Sequence, residues 1–142
     1  MPYIFLALLI GAFLTLQVGI NNTLRIGLQA PIWAAFVSFF VGTLALFLAG
    51  VVSRTPWPAK IETPWWAWTG GLLGAVYVCL SVVLVDKIGA ATLVGCVVAG
   101  QIAASLVVDH FGWLHVPQHA ISPGRLLGVA LLGLGVWLVK RF

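Results

Sequence analysis

Most residues able to do chemistry in the membrane-like parts of this sequence are neutral amides and hydroxyls. Gln17, Asn21 and Arg25 recur at i, i+4 and i+8, a spacing that places them on one face of a helix, with Asn22 about 100° around it. Gln101, Ser105 and Asp109 repeat the pattern, and Tyr77 and Ser81 form a shorter version of it. If the three faces converge on a polar cavity, their amides and hydroxyls would bind a polar solute by hydrogen bonds. The alternative is that they join helix to helix, at about 0.6 kcal/mol per contact. For Ser81 and Ser105 a bond back to the residue's own helix also competes.

Other chemistry finds no footing. His110, His115 and His119 share a loop, but Pro117 interrupts any helix that would align the last two, so no metal site is expected. There is no acidic pair within an apolar stretch, no nucleophile–base arrangement, no phosphate-binding glycine loop and no haem motif. The sequence therefore predicts no catalytic residue, no cofactor and no enzyme. Cys79 and Cys96 lie inside apolar runs and read as small packing residues.

The elements that must position these groups are set by the solvent they need. Of 142 residues, 62% are hydrophobic and 7% charged, against roughly 25% charged in a soluble domain. Only lipid makes such a composition stable, which predicts an all-α integral membrane protein. Five apolar stretches, at about 3–24, 32–52, 65–85, 89–108 and 124–139, make residues 1–142 one transmembrane domain. About 20 helical residues cross a hydrocarbon core of about 30 Å. The prolines lie outside the stretches or in a first helical turn, and Thr63-Pro64 and Ser122-Pro123 resemble an N-cap followed by a helix start. Trp33, Trp65, Trp66, Trp68, Trp113 and Trp137 fall near stretch ends, as an aromatic belt requires. The first stretch has no preceding Lys or Arg and is followed by Gln17, Asn21 and Asn22, so a retained helix is expected in place of a cleaved leader.

The net charge of +4 comes from residues near stretch ends. It points to a membrane surface and lipid as a partner, with no support for nucleic acid. On the N-terminal side lie Arg54, Lys60 and Arg125; on the other lie Arg25, Lys87, Lys140 and Arg141. Three against four barely biases insertion, so opposite copies could pair as an antiparallel dimer, unless another feature fixes one orientation. Arg25, Asp86, Lys87 and Asp109 are expected at the membrane surface, with Arg25 and Asp109 candidates for gating or coupling. Gly95, Ala99 and Ala103 form a small-residue face on the fourth helix. In the last helix Gly124, Gly128, Gly133 and Gly135 mark a helix–helix interface, a candidate dimer contact.

Four runs carry a resemblance: Gln17-Val-Gly-Ile-Asn21-Asn-Thr-Leu24, Ser38-Phe39-Phe40-Val-Gly42-Thr43, Gly70-Gly71-Leu-Leu-Gly74-Ala75-Val-Tyr77, and Gly100-Gln101-Ile-Ala-Ala-Ser105-Leu-Val-Val-Asp109-His110-Phe111-Gly112. Together they resemble the YdcZ family of the drug/metabolite transporter superfamily over nearly the whole chain. The resemblance implies a bacterial inner-membrane, multi-pass half-transporter of five helices, half of a ten-helix antiparallel dimer. Family members occur as dual-topology single chains, oppositely oriented pairs, or fused ten-helix proteins. The charge count matches an antiparallel homodimer and leaves a paired homologous chain open. In the superfamily the first helix of each half lines a central cavity, which supports Gln17 and Asn21 as substrate-binding residues, with Tyr77, Gln101, Ser81 and Ser105 beside them. The small multidrug resistance relatives carry a glutamate in that helix for proton exchange. Here the first helix has no acid, so a small polar or zwitterionic solute fits better than a cationic drug. The expected function is a small-molecule exporter with alternating access. The alternatives are a passive channel for a small polar solute and a non-transporting membrane subunit.

Overall fold

The computed structural model describes residues 2–142, and among them the chain is helical and has no strand. Apolar runs in lipid must satisfy every backbone N–H and C=O within the segment, which leaves the helix as the open choice for a single span. Five helices form: α1 (Pro2–Leu28), α2 (Pro31–Val52), α3 (Gly70–Ile88), α4 (Ala90–Phe111) and α5 (Pro123–Arg141). A 3₁₀ segment, Trp65–Thr69, leads into α3, and a short 3₁₀ turn, Trp113–His115, follows α4. All five are long and apolar enough to cross a membrane, α3 counted with its 3₁₀ lead.

The helices outlast the apolar stretches. α1 continues past Arg25 to Leu28, α3 past Lys87 to Ile88, and α4 past Asp109 to Phe111. Polarity at the membrane surface does not stop a helix, because its backbone bonds continue regardless. What stops α1 and α4 is backbone geometry: Gln29 at φ 53° and Gly112 at φ 63°, left-handed conformations typical of helix C-termini. Ser122 does cap α5, its hydroxyl accepting from the Arg125 N–H at 3.4 Å. Thr63 caps nothing. Pro64 precedes a 3₁₀ turn in which its carbonyl accepts from the Ala67 N–H at 3.0 Å, a three-residue closure. The α-helix begins only at Gly70.

Two compact units divide the chain, one ending at Val85 and the other running from Asp86 to Phe142. In the first, α1 and α2 pack as an antiparallel hairpin closed by the Gln29-Ala30 turn. Its buried residues are Val18, Asn21, Ala34, Ala35, Val78, Ser81 and Val82, small enough to bring helices close. Phe39 packs on Gly74, where an added Cβ would lie 3.0 Å from the end of the ring.

In the second unit α4 and α5 form the hairpin, and they pack tightly at Gly95. A Cβ at Gly95 would lie 3.0 Å from Val136 Cγ2 and 3.6 Å from Cγ1. Valine is stiff at χ1, so the two helices, and not the side chain alone, must yield. Gly95→Ala is therefore expected to destabilise the protein by about 1–2 kcal/mol through overpacking. Gly100→Ala on the same helix, with nothing within 4 Å, should be neutral or stabilising. Thermal unfolding in detergent checks both, and Val136→Ala should rescue the first.

Candidate functional site

The sequence grouped Gln17, Asn21 and Arg25 on one face, and the continuous α1 helix preserves that spacing. Steps of four residues nevertheless drift by about 40° each, so the three positions see different surroundings. Asn21 is only 4% exposed, Gln17 is exposed and Arg25 is half-buried. Arg25 Nε donates to Asn22 Oδ1 at 2.9 Å, which makes Asn22 a working part of this face. The sequence had set Asn22 aside as lying around the helix, although its i, i+3 relation to Arg25 was a signal.

Ser81 is buried, and its hydroxyl donates back to the Val78 carbonyl at 3.0 Å. That donor is spent within α3, leaving only acceptor capacity for any ligand. Tyr77, one turn earlier, is half-buried. Asn21 on α1 and Ser81 on α3 are thus the buried polar candidates of the first unit, and Tyr77 is only half-covered. Gln101 and Ser105 belong to α4 and are exposed. Gly124, Gly128, Gly133 and Gly135 all have open space where a Cβ would stand. Gly135 lines an apolar groove with Gly95, Val98 and Leu131 on the α4–α5 surface.

Asp109 lies in a tie between the end of α4 and the start of α5. Its carboxylate Oδ2 accepts from Arg125 Nη1 at 3.3 Å, and the same nitrogen donates to the His119 carbonyl at 3.3 Å. The Asp109 carbonyl accepts from the N–H of His119 at 2.8 Å and of Gly112 at 3.3 Å. One residue on, the His110 carbonyl accepts from Gln118 Nε2 at 2.8 Å, and His110 Nδ1 accepts from the Ile121 N–H at 3.3 Å. Loop donors thereby satisfy carbonyls that the end of a helix leaves unpaired. Arg125 was missed as a partner of Asp109. It is the lone Lys or Arg between Asp109 and Lys140 and Asp109 the lone acid after Asp86, a signal that was present. Among the described residues no group of three or more His, Cys, Asp or Glu could hold a metal ion.

Residues 2–138 match the family described as "Putative inner membrane exporter, YdcZ". Over 77 residues the sequence is 39% identical to inner membrane protein YdcZ of Escherichia coli strain K12, covering 54% of this chain and 51% of that protein. The match therefore spans about half the length of that curated relative. No solved structure matches the chain.

Proposed function

We propose that this chain, which belongs to the YdcZ family of inner-membrane proteins, exports a small polar or zwitterionic solute as an antiparallel, dual-topology homodimer. Two oppositely inserted copies enclose a polar cavity near the membrane midplane and alternate its access by rocking against each other. The observation that carries this reading is the exposure of whole amides well inside spanning helices, Gln17 on α1 and Gln101 on α4. An amide without partners in hydrocarbon costs several kcal/mol. Exposed amides at such positions need either an aqueous cavity or a second protein surface, and an antiparallel partner supplies both. The open glycines of α5 and the near-even distribution of Lys and Arg support the same arrangement. The absence of an acid from α1 favours a solute recognised by hydrogen bonds over a cation recognised by charge.

Orientation decides the architecture and is cheaply measured. With Cys79 and Cys96 replaced by alanine, Thr63→Cys in the α2–α3 connection should be labelled by impermeant maleimide in two comparable populations, one from each face of the membrane. Labelling from a single face would remove dual topology and leave a paired homologous chain as the partner. Unsaturable flux of the solute would favour a passive channel in place of alternating access.

A further inference from the structure

We infer that the C-terminal end of α2 and the loop after it bind an anionic phospholipid, with Arg54 meeting the headgroup phosphate and the adjoining groove seating an acyl chain. The helix ends in a paired closure: the Arg54 N–H donates to the Val51 carbonyl at 3.1 Å and the Thr55 N–H to the Gly50 carbonyl at 3.0 Å. Such closures place one residue in the left-handed region, a position strongly enriched in glycine. Here that residue is Arg54, at φ 53°. Gln29 ends α1 in the same region, so the backbone is an ordinary helix end, and what sets this one apart is that the residue it presents beside the groove is a cation.

The surroundings say what that cation would meet. Ser53 Oγ bonds to the Gly50 carbonyl at 3.2 Å and to Thr55 Oγ1 at 2.7 Å, so the backbone that carries Arg54 is fixed while its side chain is exposed. Beyond it the loop doubles back along α2. Thr55, Pro56, Trp57 and Pro58 face Leu46, Phe47, Gly50 and Val51 across an apolar groove of about 470 Å³. Trp57 is 85% exposed, and tryptophan favours the headgroup level of a membrane. An apolar groove beginning beside an arginine at the end of a spanning helix matches a molecule with a phosphate at one end and a hydrocarbon chain at the other. Arginine presents planar paired donors suited to phosphate. Lys60 in the same loop adds positive charge against Glu62, which favours an anionic headgroup over a zwitterionic one.

The test uses the full chain in phosphatidylcholine bilayers and reads Trp57 as the fluorescence lost in Trp57→Phe. Brominated phosphatidylglycerol should quench this component with about a fivefold lower half-quenching fraction than brominated phosphatidylcholine, the ratio expected from one basic residue at a membrane surface. Salt should shrink that ratio. Arg54→Gly should abolish it while leaving thermal stability unchanged or raised, because glycine relaxes the same backbone. Gly50→Leu, whose side chain enters open space in the groove, should reduce quenching by both lipids. Equal quenching by the two lipids in the unmodified protein, or a preference that survives Arg54→Gly, overturns the inference.

Discussion

Gln17→Ala combined with Asn21→Ala is expected to slow solute efflux from proteoliposomes at least fivefold, with the protein still inserted in the membrane. A hydrogen bond between neutral groups contributes about 0.5–1.5 kcal/mol net. Two of them removed together give a factor of roughly 5 to 150. The single variants separate the roles. Gln17 is exposed, so Gln17→Ala should reduce transport and leave unfolding temperature almost unchanged. Asn21 is buried, so Asn21→Ala should reduce both. Ser81→Ala should do little to transport, since that hydroxyl donates to its own helix. Measurement of initial efflux rates for a panel of polar and zwitterionic solutes, alongside thermal unfolding, decides the matter. Unchanged rates in Gln17→Ala with only a stability loss in Asn21→Ala would make these amides helix–helix contacts and move the site elsewhere.

The five helices were legible because lipid leaves so little choice: a long apolar run must be a helix, and its number and order follow from counting. Helix ends were not legible from hydropathy. They depend on single residues adopting left-handed backbone, Gln29 and Arg54 among them, and those side chains do not announce it. Gly89 and Gly112 take positive φ at the breaks around α4, yet hydropathy alone had put Gly89 inside the fourth stretch. For the candidate site, periodicity correctly put Gln17, Asn21 and Arg25 along one side of α1, yet it could not say which would be buried, because that depends on where the neighbouring helices cross. Asp109 and Arg125 are 16 residues apart, and their meeting depends on a loop that passes through Leu114 at φ 58° and His115 at φ 62°. No periodic pattern encodes such a path. The sequence put His110, His115 and His119 in one loop, whereas His110 lies in the last turn of α4, and its ring accepts from the Ile121 N–H to hold the loop's backbone.

The segment Asp109-His110-Phe111-Gly112, the end of the Gly100–Gly112 run that carries the family resemblance most specifically, therefore ties α4 to the loop before α5, and its glycine should matter more than its ion pair. Gly112→Ala is expected to cost about 1–2 kcal/mol, the usual difference between left-handed and right-handed backbone for a residue with a β-carbon. The new Cβ would also stand 3.3 Å from Gln118 Cβ, next to the amide that donates to the His110 carbonyl. By contrast the Asp109–Arg125 pair has side chains 24% and 35% exposed, and a pair so open to solvent contributes about 0–1 kcal/mol. Arg125→Gln should thus be milder than Gly112→Ala. Gly89→Ala should be harsher still: at φ 80° and ψ 156° it occupies a region that is essentially closed to any other residue, at about 1–3 kcal/mol or more. No neighbouring atom lies within 4 Å of its added carbon, so its effect would isolate backbone strain from crowding. Gly112→Asn, with a side chain that tolerates left-handed backbone, should recover part of the Gly112→Ala loss. Unfolding free energies of the four variants in one detergent would rank them. If Arg125→Gln proved as damaging as Gly112→Ala, charge would be holding this end of the hairpin, and the backbone account given for the Asp109–Gly112 segment would be wrong.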